Sequence, residues 1–152
     1  MFDLCVTNTL NDHGYELRAI IGSGGYAECY EVFSSQYQEH FVCKTISLLG
    51  TNSNAKKRSF EKELIALSTM THPNIVKIYQ TFQTDSHLFL ILEYCKNGDM
   101  DKFIRYRGPI KDTRKLFNFV HGILCALCFI EERGIAHKDI KPSNILLDTY
   151  GR

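Results

Sequence analysis

The stretch Ile21-Gly22-Ser23-Gly24-Gly25-Tyr26-Ala27-Glu28-Cys29 places three glycines in a turn between two runs of strand-forming residues. Glycine tolerates positive φ and permits close approach to the backbone, so the amide N–H groups of such a turn can face phosphate oxygens. Taken alone, the segment is equally an ordinary hairpin turn. Two other phosphate-binding loops are excluded by the residues after this turn. A dinucleotide-binding loop needs its glycines to open a helix. Here Cys29-Tyr30-Glu31-Val32-Phe33 favours a strand, and Ala27 stands in place of a third spaced glycine. No Gly-Lys-Ser/Thr comes next, which excludes a Walker loop. Six cysteines, at 5, 29, 43, 95, 125 and 128, raise metal or disulfide chemistry. Cys125 and Cys128 form a Cys-x-x-Cys, yet no second Cys-x-x-Cys or Cys-x-x-His completes four zinc ligands. Their apolar, helical setting reads as buried free thiols.

These residues need elements to position them. Runs rich in Val, Ile, Phe and Tyr at 15–21, 28–34, 40–47, 75–82 and 87–93 predict five strands. In the third, Val42, Lys44 and Ile46 share a face, because side chains alternate along a strand. Between the third and fourth, Phe60, Leu64 and Leu67 at i, i+4 and i+7 predict a helix with a solvated first turn at Lys56-Lys57-Arg58. His72-Pro73 ends it. After Asn97-Gly98 the pattern turns helical, first over 100–106 and then over 113–133. In the second of these Leu116, Phe119, Val120, Ile123, Leu124, Leu127 and Cys128 form one apolar stripe. Asp112 or Thr113 suits its start and Gly134 its end. The first 14 residues read as a leader.

Composition sets the class. The chain has 152 residues, 44% hydrophobic and 23% charged, which is one folded domain's worth. Eighteen Lys+Arg against seventeen Asp+Glu leave a formal charge of +1. That balance argues against nucleic-acid binding through bulk charge, but not against a local phosphate site. No apolar run reaches membrane-spanning length, which rules out a transmembrane helix at this level of reading. Residues 1–11 have neither the positive charge nor the long apolar run of a secretory signal. An intracellular location, cytoplasmic or nuclear, is the corresponding expectation.

A strand–glycine loop–strand unit resembles the one that covers ATP in protein kinases, and further motifs of that family come after it in order. Phe41-Val42-Cys43-Lys44 resembles the V-A-I-K strand. Leu88 to Cys95 resembles the strand entering the hinge. Ile135-Ala136-His137-Lys138-Asp139-Ile140-Lys141-Pro142-Ser143-Asn144 resembles the H-R-D-L-x-x-x-N loop. The resemblance implies an α+β fold: a small lobe with a five-stranded antiparallel sheet and one helix, followed by the first helices of a large lobe. It divides the chain into a leader (1–14), a small lobe with hinge (15–95), and the start of the large lobe through the catalytic loop (96–152).

It also implies roles. Gly22, Ser23, Gly24 and Gly25 would cover the phosphates of ATP, and Lys44 would hold two of them while paired with the helical Glu63. Ile21, Cys29, Val42 and Leu146 would enclose the base, with Leu92 as gatekeeper. The backbone of Glu93 and Cys95 would bond adenine, and Asp99 would reach the ribose unless it caps a helix. Asp139 would accept the substrate proton, Lys141 would neutralise the γ-phosphate, and Asn144 would ligate Mg²⁺. His137 has a packing and hydrogen-bonding role in the family. A lysine two residues after the aspartate is the Ser/Thr-kinase form, so the expected partner is a protein substrate bearing a serine or threonine hydroxyl. The hinge resembles that of never-in-mitosis-type kinases, with calcium/calmodulin-dependent types close to it.

Two departures bear on these expectations. Lys138 stands where the family has arginine, which keeps the charge but loses the bidentate fork that reads a phosphorylated loop. No D-F-G or A-P-E segment occurs in the 152 residues. The sequence therefore reads as a kinase truncated before D-F-G, with impaired transfer because the main Mg²⁺ carboxylate is missing. The alternative is a non-catalytic ATP-binding or protein-interaction fragment, with a docking partner on the uncovered stripe of 113–133.

Overall fold

The computed structural model describes residues 3–23, 27–48 and 70–151. The chain divides into two compact units, Met1–Met70 with Lys77–Tyr94, and Thr71–Val76 with Cys95–Arg152.

The first unit begins with a helix, α1 (Leu4–Asp12), inside the segment read as a leader. Asp3 caps it, its carboxylate accepting from the Cys5 N–H at 2.8 Å. Five strands come next: β1 (Tyr15–Ser23), β2 (Ala27–Ser34), β3 (Glu39–Ser47), β4 (Ile78–Gln83) and β5 (His87–Glu93). They form one sheet in the order β1-β2-β3-β5-β4 with every neighbouring pair antiparallel. All five expected strands are present. The helix expected over Phe60, Leu64 and Leu67 lies outside the described residues.

The pleat separates the two faces of this sheet. Phe41 and Cys43 of β3 share a buried cluster with Tyr30 and Val32 of β2 and Phe89 and Ile91 of β5. Val6 and Leu10, four residues apart on one side of α1, complete that cluster. His13 stacks on Phe82 with ring centroids 3.8 Å apart and fixes the end of the helix against β4. The opposite face carries Leu88 and Leu90, packed with Ile46, Ile78 and Leu92.

In the second unit, α2 (Met100–Arg107) is capped by Asp99 and α3 (Thr113–Glu131) by Asp112, whose carboxylate accepts from the N–H groups of Arg114 and Lys115. Gly134, at φ +72°, closes α3: its N–H reaches the Glu131 carbonyl, and the Ile135 N–H reaches that of Ile130. A short 3-10 turn spans Pro142–Asn144.

Two expectations are corrected on α3. The helix is long and apolar enough, by length and composition, to cross a membrane. Polar residues such as Asn118 and His121 break its sequence into short apolar pieces, so no continuous run reveals that length. The Cys-x-x-Cys thiols are also not buried: Cys128 is exposed and Cys125 half-buried. Leu116, Phe117, Val120 and Leu124 are exposed beside them. Apolar periodicity marks a face to be covered, and among the described residues this one is not covered.

The fully buried Leu10 makes α1 an integral part of the first unit. Leu10→Ala is expected to lower stability by about 2–5 kcal/mol, read from urea unfolding. A loss under about 0.5 kcal/mol, ordinary for a surface substitution, would show that α1 does not pack on the sheet.

Candidate active site

Lys44 lies mid-strand in β3, half-buried. Its direct neighbours across the sheet are Cys29 of β2 and Leu90 of β5. Cys29 in turn pairs with Gly22 of β1. Gly22, Cys29, Lys44 and Leu90 thus form one row across four strands. Val42, two residues from Lys44 on the same face, pairs with Glu31 and Leu92 in the adjacent row. Burial pushes the Cys29 thiol above its ordinary pKa, and the nearby Lys44 ammonium opposes that rise. The sheet therefore gathers Cys29, Val42, Lys44 and Leu92 on one face. Ser23 ends β1, and Ile21 sits at a register irregularity between Ile20 and Gly22. Gly24, Gly25 and Glu63 lie outside the described residues.

The strand that carries Leu92 ends at Glu93. The Glu93 N–H is already given to the Lys77 carbonyl at 2.9 Å. Any further backbone bond at this residue must use its carbonyl oxygen. In the second unit, Cys95 accepts the Gly98 N–H at 3.0 Å, closing the turn before α2.

Asp139, Lys141 and Asn144 meet through local geometry. The side-chain nitrogen of Asn144 donates both to the Asp139 carbonyl, at 2.9 Å, and to the Asp139 carboxylate, at 2.8 Å. Two acceptors on one side require the NH₂ end there, which leaves the amide oxygen directed elsewhere. Lys141 places its ammonium 2.9 Å from the same carboxylate oxygen, Oδ2. Hydrogen bonds from Lys141 and then Asn144 hold the Asp139 carboxyl below its usual value of 3.8. Asp139 is 60% exposed, so a reactant can reach it.

The backbone supports this arrangement. Lys138 adopts φ +62°, one of two positive-φ residues other than glycine among those described. The Asp139 N–H lies 3.3 Å from Nδ1 of His137, and this bond bridges the turn. The 3-10 turn Pro142–Asn144 then brings Asn144 back toward Asp139. After it, the Met100 N–H bonds the Ile145 carbonyl at 2.9 Å, and the Leu147 N–H bonds that of Gly98 at 2.8 Å. This short bridge sets Leu146 opposite Asp99. Asp99 itself caps α2, its Oδ1 accepting the Lys102 N–H at 2.8 Å.

The donor set suits Mg·ATP. A lysine on a strand face supplies fixed positive charge, and the amide oxygen of Asn144 is the kind of ligand a hard cation takes. Lys44 and the apolar row lie in the first unit, and Asp139, Lys141 and Asn144 lie in the second.

Comparison with known proteins bears on the same span. The protein kinase domain family matches residues 15–152. The serine/threonine-protein kinase Nek5 of Homo sapiens is 35% identical over 138 residues, which is 90% of this chain and 19% of that protein. PrkC of Bacillus subtilis, also a serine/threonine-protein kinase, is 31% identical over 137 residues, 90% of this chain and 21% of its own length. RUNKEL of Arabidopsis thaliana, a third kinase so named, is 29% identical over 90% of this chain and 10% of its own. The chain thus spans about a fifth or less of each. Among solved structures, Rad53 1–466 in complex with AMP-PNP superposes with a TM-score of 0.79 at 24% identity, covering 90% of this chain and 35% of that one, a likeness of fold. The family match begins at the first residue of β1 and takes in every described strand, both helices of the second unit and the loop around Asp139: the chain belongs to the protein kinase family.

Proposed function

We propose that these residues form the ATP-binding and catalytic-loop part of a serine/threonine protein kinase, which moves the γ-phosphate of Mg·ATP to a serine or threonine hydroxyl of a protein. The observation that carries the reading is the Asp139 carboxylate, exposed yet held by Lys141 and Asn144 within one short loop. Kept ionised, Asp139 accepts the hydroxyl proton as the phosphoryl group leaves ATP. The Lys141 ammonium has three donors, so it serves Asp139 and a phosphoryl oxygen together. Lys44 balances charge on the other phosphates. Asn144 offers its amide oxygen to the metal while its nitrogen steadies Asp139. Mg²⁺, when bound, neutralises the transferring phosphoryl group. The AMP-PNP in the Rad53 structure supports a nucleotide as ligand of the shared fold.

The 152 residues hold no D-F-G aspartate, so by themselves they are expected to transfer phosphate poorly. The exposed Leu116, Phe117, Val120 and Leu124 of α3 favour a second reading, a nucleotide-binding or interaction module without turnover. A soluble, monodisperse heterocomplex lost on Phe117→Asp would support that reading.

In a chain continued through a D-F-G segment, Asp139→Asn is expected to slow transfer from radiolabelled ATP to casein by about 10²–10⁴-fold. An unchanged rate would remove Asp139 from the chemistry. For the 152-residue chain alone, transfer at an ordinary kinase rate would contradict the expected impairment. The protonation state is tested separately. The lowered Asp139 pKa keeps the carboxylate charged as pH falls through 3.8, and its bonds to Lys141 and Asn144 are lost only below that. A ¹³C NMR titration of its carboxyl carbon should give a midpoint below 3.8, moving upward in Lys141→Met. A midpoint at or above 3.8 in the unsubstituted chain contradicts the geometry.

A further inference from the structure

The corner joining α2 to α3 holds positive charge that its own carboxylates do not neutralise. Residues 99–115 contain six basic side chains, Lys102, Arg105, Arg107, Lys111, Arg114 and Lys115, against three carboxylates, Asp99, Asp101 and Asp112. That is a net of +3 in a chain whose total is +1. All three carboxylates are engaged. Asp99 caps α2 and pairs with Lys102 at 3.4 Å, Asp101 pairs with Arg105 at 2.9 Å, and Asp112 caps α3. Among the described residues, Arg107, Lys111, Arg114 and Lys115 have no ion-pair partner. The first three are exposed and Lys115 is half-buried.

Helix electrostatics account for only part of this charge. Arg105 and Arg107 occupy the last turn of α2, where the partial negative charge of a helix C-terminus favours cations. Arg114 and Lys115 occupy the first turn of α3, where the partial positive charge disfavours them, and no acidic residue stands in that turn. Their position costs α3 stability rather than adding to it. Packing gathers the charge. The Lys115 ammonium lies 4.8 Å from the centre of the Phe103 ring and the Arg107 guanidinium 5.9 Å from it. Lys115 also reaches the Phe119 ring at 5.7 Å. One ring of α2 thus brings a cation from the end of that helix and a cation from the start of α3 to a common surface. Tyr106, next to Arg107 in sequence, is 87% exposed.

We propose that Arg107, Lys111, Arg114 and Lys115 form a docking site for an acidic segment of a partner protein, a peptide rich in Asp and Glu. Charge complementarity carries the choice of occupant. Arg107 and Arg114 offer planar forks that take a carboxylate bidentately, while Lys111 and Lys115 act as separate points of charge. That spread matches carboxylates placed along a peptide better than a single phosphate group. A phosphate would use the open N–H groups of a helix start, and those of Arg114 and Lys115 are already given to Asp112. Nucleic acid needs a broad positive field, which a chain of charge +1 lacks. Tyr106 adds an exposed ring against which the apolar groups of the peptide rest. The site stands on the second unit alone and does not rest on the nucleotide reading.

The test is fluorescence anisotropy of a short fluorescein-labelled Glu-rich peptide titrated with the 152-residue chain, at about 50 mM and about 150 mM salt. Saturable one-to-one binding that weakens with salt is expected. Arg107→Gln combined with Lys115→Gln should weaken it at least tenfold, while far-ultraviolet circular dichroism stays unchanged. Arg18→Gln combined with Lys77→Gln makes the same change of charge in the first unit and should retain the affinity. Arg114→Gln should also weaken binding, yet leave the urea midpoint unchanged or higher, because it removes a disfavoured cation from a helix start. A lower midpoint would mean that Arg114 serves the helix, against the proposal. No binding at the lower salt overturns it. So does an equal loss in the two double variants, which would be diffuse charge alone. A poly-dT oligonucleotide of matching charge, or a peptide with phosphoserine as its sole anion, that binds more tightly than the Glu-rich peptide overturns it as well, in favour of a nucleic-acid or phosphate site.

Discussion

Side chains alternate across a strand, and in β3 that alternation decides what each face of the sheet can be. Phe41, Cys43 and Thr45 are buried, whereas Val42, Lys44 and Ile46 look to the other side and are only partly covered. A slip of one residue would exchange the sets and drive Lys44 among Tyr30, Phe89 and α1, where an unpaired cation is strongly disfavoured. Paired positions run along β2 from Ala27 to Ser34 and along β5 from His87 to Glu93, so β3 is locked from both sides. The buried face raises the Cys43 thiol pKa to about 12, a sign of how little charge it tolerates. The position of Lys44 is thus a consequence of core packing on the reverse of the sheet. α1 belongs to the same argument, because Val6 and Leu10 seal the face that holds the register.

The second unit solves its positioning problem over a shorter range. Asp139 and Asn144 are five residues apart, and the 3-10 turn folds one onto the other. What local sequence cannot do is hold the ends of that loop. The backbone bonds between Met100 and Ile145, and between Leu147 and Gly98, do so by pinning the loop to the start of α2. Asp99 stands at this junction, capping α2 by its side chain and bridging Leu146 by its backbone. Its carboxylate caps the helix through Oδ1 and pairs with the Lys102 ammonium through Oδ2.

Legibility follows the range of the interactions. The strands are readable because alternation is local, and the ends of α3 are readable because Asp112 and Gly134 act within a few residues. α1 is not readable as more than a leader, since its nine residues place only Val6 and Leu10 against partners distant in sequence. The exposure of Cys125 and Cys128 is hidden for a related reason: an apolar stripe announces that cover is needed without saying whether it is present. At the candidate site, the glycine turn is chemically suggestive on its own. The roles proposed for Asp139, Lys141 and Asn144 rest on the order of motifs along the chain, because an Asp, a Lys and an Asn within six residues are compatible with many loops. Gly24, Gly25 and Glu63 lie outside the described residues, and their assignments rest on that order.

Under the proposed function, the sheet face bearing Lys44 and the loop around Asp139 each respond to a magnesium nucleotide. The most direct measurement is a ¹⁵N–¹H correlation spectrum of the labelled chain, recorded as Mg·ATP is added, for the unsubstituted protein and for Lys44→Met. The account expects saturable shifts at Gly22, Cys29, Lys44 and Cys95 and around Asp139 and Asn144, with at least tenfold weaker binding in Lys44→Met. Amides of these residues that stay in place at millimolar nucleotide, or shifts that persist unweakened in Lys44→Met, would contradict it.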